Sequence, residues 1–255
     1  MENINLKSAI EYLAEKYQLA KIESITTSES TITVECDKGV FNFCSDFSQE
    51  KCEGGDVPLF AWRSQRRYFE MRKNLLDKIV QDPVGMRIKH IAPKGTNLAN
   101  ILVQEVDIAQ WILGDRVEKV FASTQDDYCN AIFSTEQGIK ISAEIGTAQT
   151  KTPILLHEII AKTGVITDTA VDTQVEHYPI YLYNSKGTTI YNDVDFELYG
   201  LSYDEIAKVR FIASVLAEPK LIGELQKTYQ QAKKVYRAAV LAAEKLENTA
   251  VLRGA

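Results

Sequence analysis

Three alternating segments in the middle of the chain constrain its fold most strongly. Segments 117–125 (VEKVFASTQ), 127–135 (DYCNAIFST) and 138–146 (GIKISAEIG) alternate apolar and polar residues with the period of two that is typical of β-strands. The breaks between them are too short for a parallel crossover, so adjacent strands must pair antiparallel. These segments therefore predict a meander within an open sheet.

Further segments before and after this meander predict alternating helices and strands. Because they do not form the regular series of strand–helix units that a wholly parallel sheet needs, we predict the α+β class, with an open, mainly antiparallel β-sheet and helices packed on one face. The predicted helices are 66–81, 97–113, 202–217 and a long one after Pro219, and the predicted strands are 58–65, 84–92 and 154–164 with a hairpin at 178–192.

The first 57 residues have a different pattern. A helix at 5–17 precedes strand patterns at 21–27, 30–36 and 39–44, of which the last two are joined by a Asp37-Lys38-Gly39 turn. Strands of this kind need a neighbour, so we expect residues 1–57 to extend the main sheet and residues 58–255 to form the principal domain.

Composition and motifs exclude several classes of protein. The net charge of −6 and the pI near 5.3 argue against a nucleic-acid partner. No apolar run approaches the roughly 18 residues of a membrane span, so we expect a cytoplasmic protein. The sequence has no GxGxxG, GxxxxGK[ST], GxSxG or HExxH motif. Its four cysteines form no CxxC pair, so we expect neither a bound cofactor nor a metal.

The helix at 97–113 carries an unusual polar stripe. Asn100, Gln104 and Asp107 lie at i, i+4 and i+7, which places them on one face of a mostly apolar helix. This stripe is either the wall of a ligand pocket or a face that meets solvent or a neighbouring backbone. A basic cluster that includes Arg67 leaves a similar choice, between a solvated helix face and contact with an anionic ligand.

Four segments together resemble the C-terminal half of the Gfo/Idh/MocA oxidoreductases. They are 64–91, 100–122, 127–146 and 155–168, and the most specific part is VDIAQWILG followed by VEKVFA. The resemblance covers residues 58–247. It implies a C-terminal α/β domain that supplies a substrate wall and an open sheet used in oligomerisation. Full-length members of the family also have an N-terminal Rossmann domain that binds NAD(P).

The sequence departs from this family where catalysis would occur. The resemblance implies an Asp and a His on the helix, but Asn100 and Gln104 occupy these positions, and an amide cannot act as a general base. The acidic position at Asp107 is retained. The family's EKP-type lysine has no counterpart, and only residues 1–57 stand where the Rossmann domain would be. We therefore predict a remnant pocket with ligand-binding residues Asn100, Gln104, Asp107 and Arg67 and no catalytic residue.

Two functions remain open. The first is a pseudoenzyme, an accessory relative of these oxidoreductases that lacks the cofactor domain. The second is an active oxidoreductase on a sugar-like or other polar metabolite, with NAD or NADP supplied through a partner chain or with chemistry independent of it. The meander places Ser, Thr, Asn and Lys on one face and Phe, Ile and Ala on the other. This pattern predicts a homodimer or higher oligomer through the sheet, with a full-length oxidoreductase as a further candidate partner.

Overall fold

The computed structural model describes residues 5–47, 55–168, 180–191, 200–245 and 249–250. The chain forms two compact units. Unit 1 contains the described residues up to Gln65 and those from 200 to 230, and unit 2 contains those from Arg66 to 191 and from 231 onwards. Within the described residues, no helix is both long and apolar enough to cross a bilayer.

The elements are numbered in chain order. The helices are α1 (Leu6–Lys16), α2 (Arg66–Leu76), α3 (Leu98–Leu113), α4 (Tyr203–Ala217) and α5 (Leu221–Lys245), with a 3-10 turn at Ala61–Ser64. The strands are β1 (Ile22–Thr27), β2 (Thr31–Cys36), β3 (Gly39–Cys44), β4 (Val57–Pro58), β5 (Pro83–Pro93), β6 (Val117–Gln125), β7 (Tyr128–Thr135), β8 (Lys140–Ala148), β9 (Ile154–Ala161), β10 (Gly164–Thr167), β11 (Ile180–Asn184), β12 (Gly187–Tyr191) and β13 (Thr249–Ala250).

Unit 1 contains a small sheet of its own. Strands β1, β2 and β3 form the predicted meander, and β4 adds to β3 in parallel, which gives four strands in the order β1-β2-β3-β4. The prediction that this meander extends the main sheet was therefore wrong. It pairs with β4 instead, and hydrophobic residues of α1 bury the inner side of the unit, among them Ile10 and Leu13.

The predicted strand at 58–65 was also wrong. Only Val57–Pro58 pairs as a strand, and the chain then turns into the 3-10 turn. Leu59 and Phe60 are consecutive and both buried, whereas a half-buried strand buries every second residue. Phe60 and Trp62 pack their rings together with Phe47, at centroid distances of 5.2–5.6 Å, so aromatic packing rather than sheet pairing fixes this segment.

Unit 2 is built on a nine-stranded sheet. The order is β12-β11-β10-β9-β5-β8-β7-β6-β13, and every neighbouring pair is antiparallel except β5 and β8. Helices α2 and α3 pack together and contact this sheet. The α+β class and the open, mainly antiparallel sheet are confirmed.

Helix α3 begins and ends where its sequence predicts. The Asn97 side chain accepts a hydrogen bond from the Ala99 backbone N–H, which caps the first turn. Gly114 ends the helix with φ 64° and ψ 24°, a left-handed conformation that glycine adopts at little cost. The helix therefore presents a fixed set of side chains to its neighbours.

The two faces of the sheet differ in composition. The inner face is mainly apolar, as the buried Phe133, Ile141 and Ile145 show. Phe121 differs from the prediction, because it lies on the outer face, directly opposite Ile132, which is 48% exposed. The outer face therefore combines polar residues with large apolar side chains.

Gly164 is a point of close approach between strands. A Cβ at this position would lie 2.6 Å from the Tyr183 carbonyl oxygen and 3.3 Å from the Asn184 Cβ. We expect Gly164→Ala to destabilise unit 2 by about 1–3 kcal/mol in urea unfolding followed by circular dichroism. Gly85→Ala is the matched control, since its Cβ would meet only the Lys140 carbonyl oxygen at an ordinary 3.5 Å. Equal effects of the two substitutions would contradict the steric explanation.

Candidate functional site

The polar stripe of α3 faces its helical neighbour at one end. Asn100 and Gln104 are half-buried, and Asp107 is completely buried. Trp111 continues the stripe by one further turn. Arg72 of α2 donates a hydrogen bond to the Trp111 carbonyl oxygen, and its guanidinium lies 4.9 Å from the centre of the Trp111 ring. The C-terminal part of the stripe is therefore an α2–α3 contact, while its N-terminal amides keep partial access to solvent.

Arg67 lies in a different environment from that of a solvated helix face. Its side chain is 3% exposed, and its Nη1 is 3.7 Å from Oδ2 of Asp168, which follows β10. The neighbouring Arg66 is exposed and pairs with Glu70 of its own helix. Arg67 thus joins a buried ionic network, and a ligand-binding role for it and for the three stripe residues remains a prediction.

His157 of β9 is the centre of this network. Its Nε2 is 2.8 Å from Oε2 of Glu105 on α3, and its Nδ1 is 2.7 Å from Oδ2 of Asp168. The backbone N–H of His157 also donates to Oδ1 of Asp168, at 2.5 Å. Because an ionised carboxylate can only accept, both ring nitrogens carry hydrogen, and His157 is a buried imidazolium.

The charges of the network stabilise one another. Burial alone would lower the pKa of His157, but Asp168 and Glu105 outweigh it and raise that pKa to about 9. Burial would raise the pKa of Glu105, but His157 and His90 hold it well below its usual range. The pKa of Asp168 is likewise lowered, against the effect of burial, by His157 and Arg67. Two anions therefore face two cations, His157 and Arg67, in a site closed to water.

Two further residues complete the network. His90 of β5 places its Nδ1 2.6 Å from Oε1 of Glu105, so one carboxylate joins two histidines. Tyr68 of α2 packs edge-on against the His157 ring, with its hydroxyl 3.4 Å from Nε2. The network thereby connects both helices to β5, β9 and the end of β10.

Sequence reasoning missed this network. His90 and His157 occupy inward positions on strands whose other inward residues are apolar, such as Ile88 and Ile159. A buried imidazole needs a hydrogen-bonding partner, and Glu105 is one of two buried carboxylates on α3, with Asp107. The signal was present in the alternation, but the pairing depends on the tertiary fold.

The hydrogen-bonding atoms of His157, at the centre of the network, are all used within the network. His157 is 0% exposed and uses both ring nitrogens, so it has no free proton-transfer atom to offer a ligand. Among the residues described here, no group of three His, Cys, Asp or Glu side chains is arranged to hold a metal ion. The buried core of the network is therefore a structural ion cluster.

The described residues do not fit a dinucleotide by themselves. A nicotinamide dinucleotide needs a glycine-rich turn between a strand and a helix N-terminus, so that the backbone approaches the pyrophosphate. The turn between β5 and α3 has the single glycine Gly95, and the strands of unit 1 form a meander rather than strand–helix units.

The fold is similar to that of solved oxidoreductase structures of the Gfo/Idh/MocA type. An oxidoreductase from Agrobacterium radiobacter in complex with NAD+, L-tartaric acid and magnesium matches with a TM-score of 0.61 and 15% identity, over 76% of this chain and 64% of that one. The scyllo-inositol dehydrogenase of Lactobacillus casei, with NAD(H) and scyllo-inositol bound, matches with a TM-score of 0.56 and 17% identity, over 75% and 63%.

A third structure, of an oxidoreductase from Thermotoga maritima, gives a TM-score of 0.57 at 12% identity, over 83% of this chain and 72% of that one. No protein-family model and no curated protein matches the sequence. The chain spans about 64–66% of the length of the first two structures it matches. At these identities the likeness confirms the fold that the sequence resemblance predicted.

Proposed function

We propose that this chain is a non-catalytic, self-associating relative of the Gfo/Idh/MocA oxidoreductases that binds a small polar ligand. It acts as an accessory subunit, with a second copy of itself, or a full-length oxidoreductase, as its partner. The observation that carries the self-association is the outer face of the nine-stranded sheet, which combines exposed apolar side chains with charges that are already paired.

The lack of catalysis rests on the state of the titratable groups around α3. The residues of the polar stripe that keep access to solvent, Asn100 and Gln104, are amides and do not titrate in the useful range. Glu105 and His157 are bound to each other inside the network. The stripe therefore offers hydrogen bonds to a ligand without a general base.

The outer face suits a second copy of the chain. Phe121 and Ile132 form one apolar pair, and Ile91 and Ile154 form another across β5 and β9. Nine strands about 4.8 Å apart give a face roughly 40 Å wide, large enough for the approximately 800 Å² per partner of a stable interface. Large apolar side chains within such a face favour association.

The charges of this face favour the same partner. Arg87 lies 3.2 Å from Glu158, and Lys89 lies 3.9 Å from Glu144, each pair bridging two adjacent strands. Because cations and anions alternate within the face, an identical face can approach without a field of like charge. A strongly basic or strongly acidic partner would have no comparable electrostatic match with this face.

A polyol is the ligand class that we propose for the polar stripe. Amide groups both donate and accept hydrogen bonds, as hydroxyl groups do. One of the similar structures holds scyllo-inositol, which is a neutral ring of hydroxyls. An uncharged polyol also avoids repulsion from a chain with net charge −6.

Native mass spectrometry, with and without added NAD(H) and NADP(H), tests this function. We expect a dimer of a 28.7 kDa chain without a nucleotide adduct. A monomer at all concentrations would contradict self-association. A retained nucleotide would overturn the non-catalytic assignment and support an active oxidoreductase.

A further inference from the structure

An open cleft of about 350 Å³ lies at the C-terminal ends of α2 and α3 in unit 2. Val80, Ile112 and Ile139 line it and are 6% exposed or less, so its floor is apolar. Leu76, which is 66% exposed, lies at its mouth. A volume of this order and a mainly apolar lining with a few polar groups are typical of small-molecule sites. None of the residues proposed to bind a polyol lines this cleft.

Both helix ends at the cleft have internal hydrogen-bond donors on carbonyl groups of their last turns. The Asn74 carbonyl oxygen of α2 accepts from the backbone N–H groups of Ile79 and Val80, at 3.0 and 3.2 Å. The Trp111 carbonyl oxygen of α3 accepts from the guanidinium of Arg72. The negative end of each helix dipole is therefore partly compensated within the fold, and the charges of the side chains decide which ligand the cleft attracts.

The charged side chains that line the cleft are two cations and one anion. Arg72 is held in place, with its guanidinium 4.9 Å from the centre of the Trp111 ring. Lys78 is exposed, and no carboxylate of the described residues pairs with it. The anion, Asp82, already faces the Lys162 ammonium at 3.6 Å. The cleft therefore has a local excess of positive charge in a chain whose net charge is −6.

Lys78 occupies a backbone position that favours glycine. Its φ is 55°, in the left-handed region, just after the end of α2, where glycine or asparagine is the usual residue. A lysine at this position costs conformational energy that a glycine does not. Residues held in such conformations cluster at ligand-binding sites. A role for the Lys78 ammonium at the mouth of the cleft accounts for a lysine here.

We propose that this cleft binds a small monocarboxylate, with its apolar chain or ring on the floor and its carboxylate at the mouth beside Lys78. The ionised carboxylate accepts hydrogen bonds from the Lys78 ammonium, and the fixed charge of Arg72 adds to the attraction. No covalent bond of the ligand is formed or broken. The site depends neither on polyol binding at the stripe nor on self-association, so the failure of either leaves this inference standing.

NMR titration of the isotope-labelled whole chain with octanoate tests the assignment. Octanol and octylammonium are the matched probes, because they carry the same apolar chain with a neutral or a cationic head group. We expect octanoate to bind roughly fivefold more tightly than octanol, and octylammonium to bind most weakly. The largest amide shifts should occur at Lys78, Val80 and Leu113. Equal affinity for the three probes, or shifts confined to another part of the chain, would overturn the proposal.

Lys78→Gly separates ligand binding from folding. Because glycine suits a φ of 55°, we expect the midpoint of urea unfolding to be at least that of the wild type. Loss of the ammonium should weaken octanoate binding about threefold and leave octanol binding unchanged. Gln18→Gly is the matched control, since Gln18 has a φ of 51° just after α1 and does not line the cleft. Octanoate affinity that is unchanged in Lys78→Gly, or reduced equally in both variants, would contradict the assignment.

Discussion

Replacement of His157 by leucine lowers the free energy of unfolding of unit 2 by roughly 3–5 kcal/mol. The substitution leaves the carboxylates of Glu105 and Asp168 buried without the cation that both contact, at 2.8 and 2.7 Å. The uncompensated charge, rather than a lost apolar contact, is the source of this large effect. Urea unfolding followed by circular dichroism measures it.

Ile159→Val is the matched control in the same strand. Ile159 is completely buried two residues from His157, and removal of one methylene group costs about 0.5–1.5 kcal/mol. If the two variants lose similar stability, the ionic network does not stabilise unit 2 by more than an ordinary buried apolar contact.

The pH dependence of stability tests whether the charge on His157 is the cause of this stability loss. Folding raises the pKa of His157 from its usual 6.5 to about 9, so its stabilising contribution is complete below pH 6.5 and is lost as the pH rises through about 9. This difference corresponds to about 3 kcal/mol. We expect the wild-type protein to lose stability over this alkaline range and His157→Leu to lose less, and parallel profiles would contradict the assignment.

At acid pH, the contribution of the two carboxylates to stability changes in the opposite direction. The pKa values of Glu105 and Asp168 in the folded protein lie below their usual values of 4.5 and 3.8. Their stabilising contribution is therefore present above those values and is lost as the pH falls further. The network is thus most stabilising between about pH 5 and 6.5.

Local sequence signals predicted the elements whose causes are local. The alternation at 117–146 identified β6, β7 and β8, and the predicted helix at 97–113 matches α3 within one residue. The class of the fold followed from the same short turns. Periodicity and capping act between near neighbours in the chain, so a single sequence contains them.

The network and the small sheet have causes that are not local. Glu105 meets His157 across 52 positions of the chain, and His90 across 15. The spacing of these residues in the sequence does not predict such a pairing, because the pairing follows from the way α3 packs on β5 and β9. The meander of unit 1 likewise needed a neighbour, and its pattern did not distinguish β4 from the large sheet.

Ile132→Glu on the outer face of the sheet should convert the proposed dimer into a monomer. Ile132 is 48% exposed and lies opposite Phe121, so the substitution puts a carboxylate into the apolar part of the proposed interface. A two-fold axis introduces the change twice, once from each copy. We expect the dissociation constant to rise at least 100-fold, or about 2.7 kcal/mol, in sedimentation velocity over a concentration series.

Val40→Glu is the control for a general effect of added charge. Val40 is 63% exposed on the small sheet of unit 1, and it is more exposed than Ile132. If the outer face of the large sheet is the interface, Val40→Glu dimerises like the wild-type protein while Ile132→Glu does not. The reverse result would move the interface to unit 1, and the paired charges of β5, β8 and β9 would then serve only the stability of a solvated sheet.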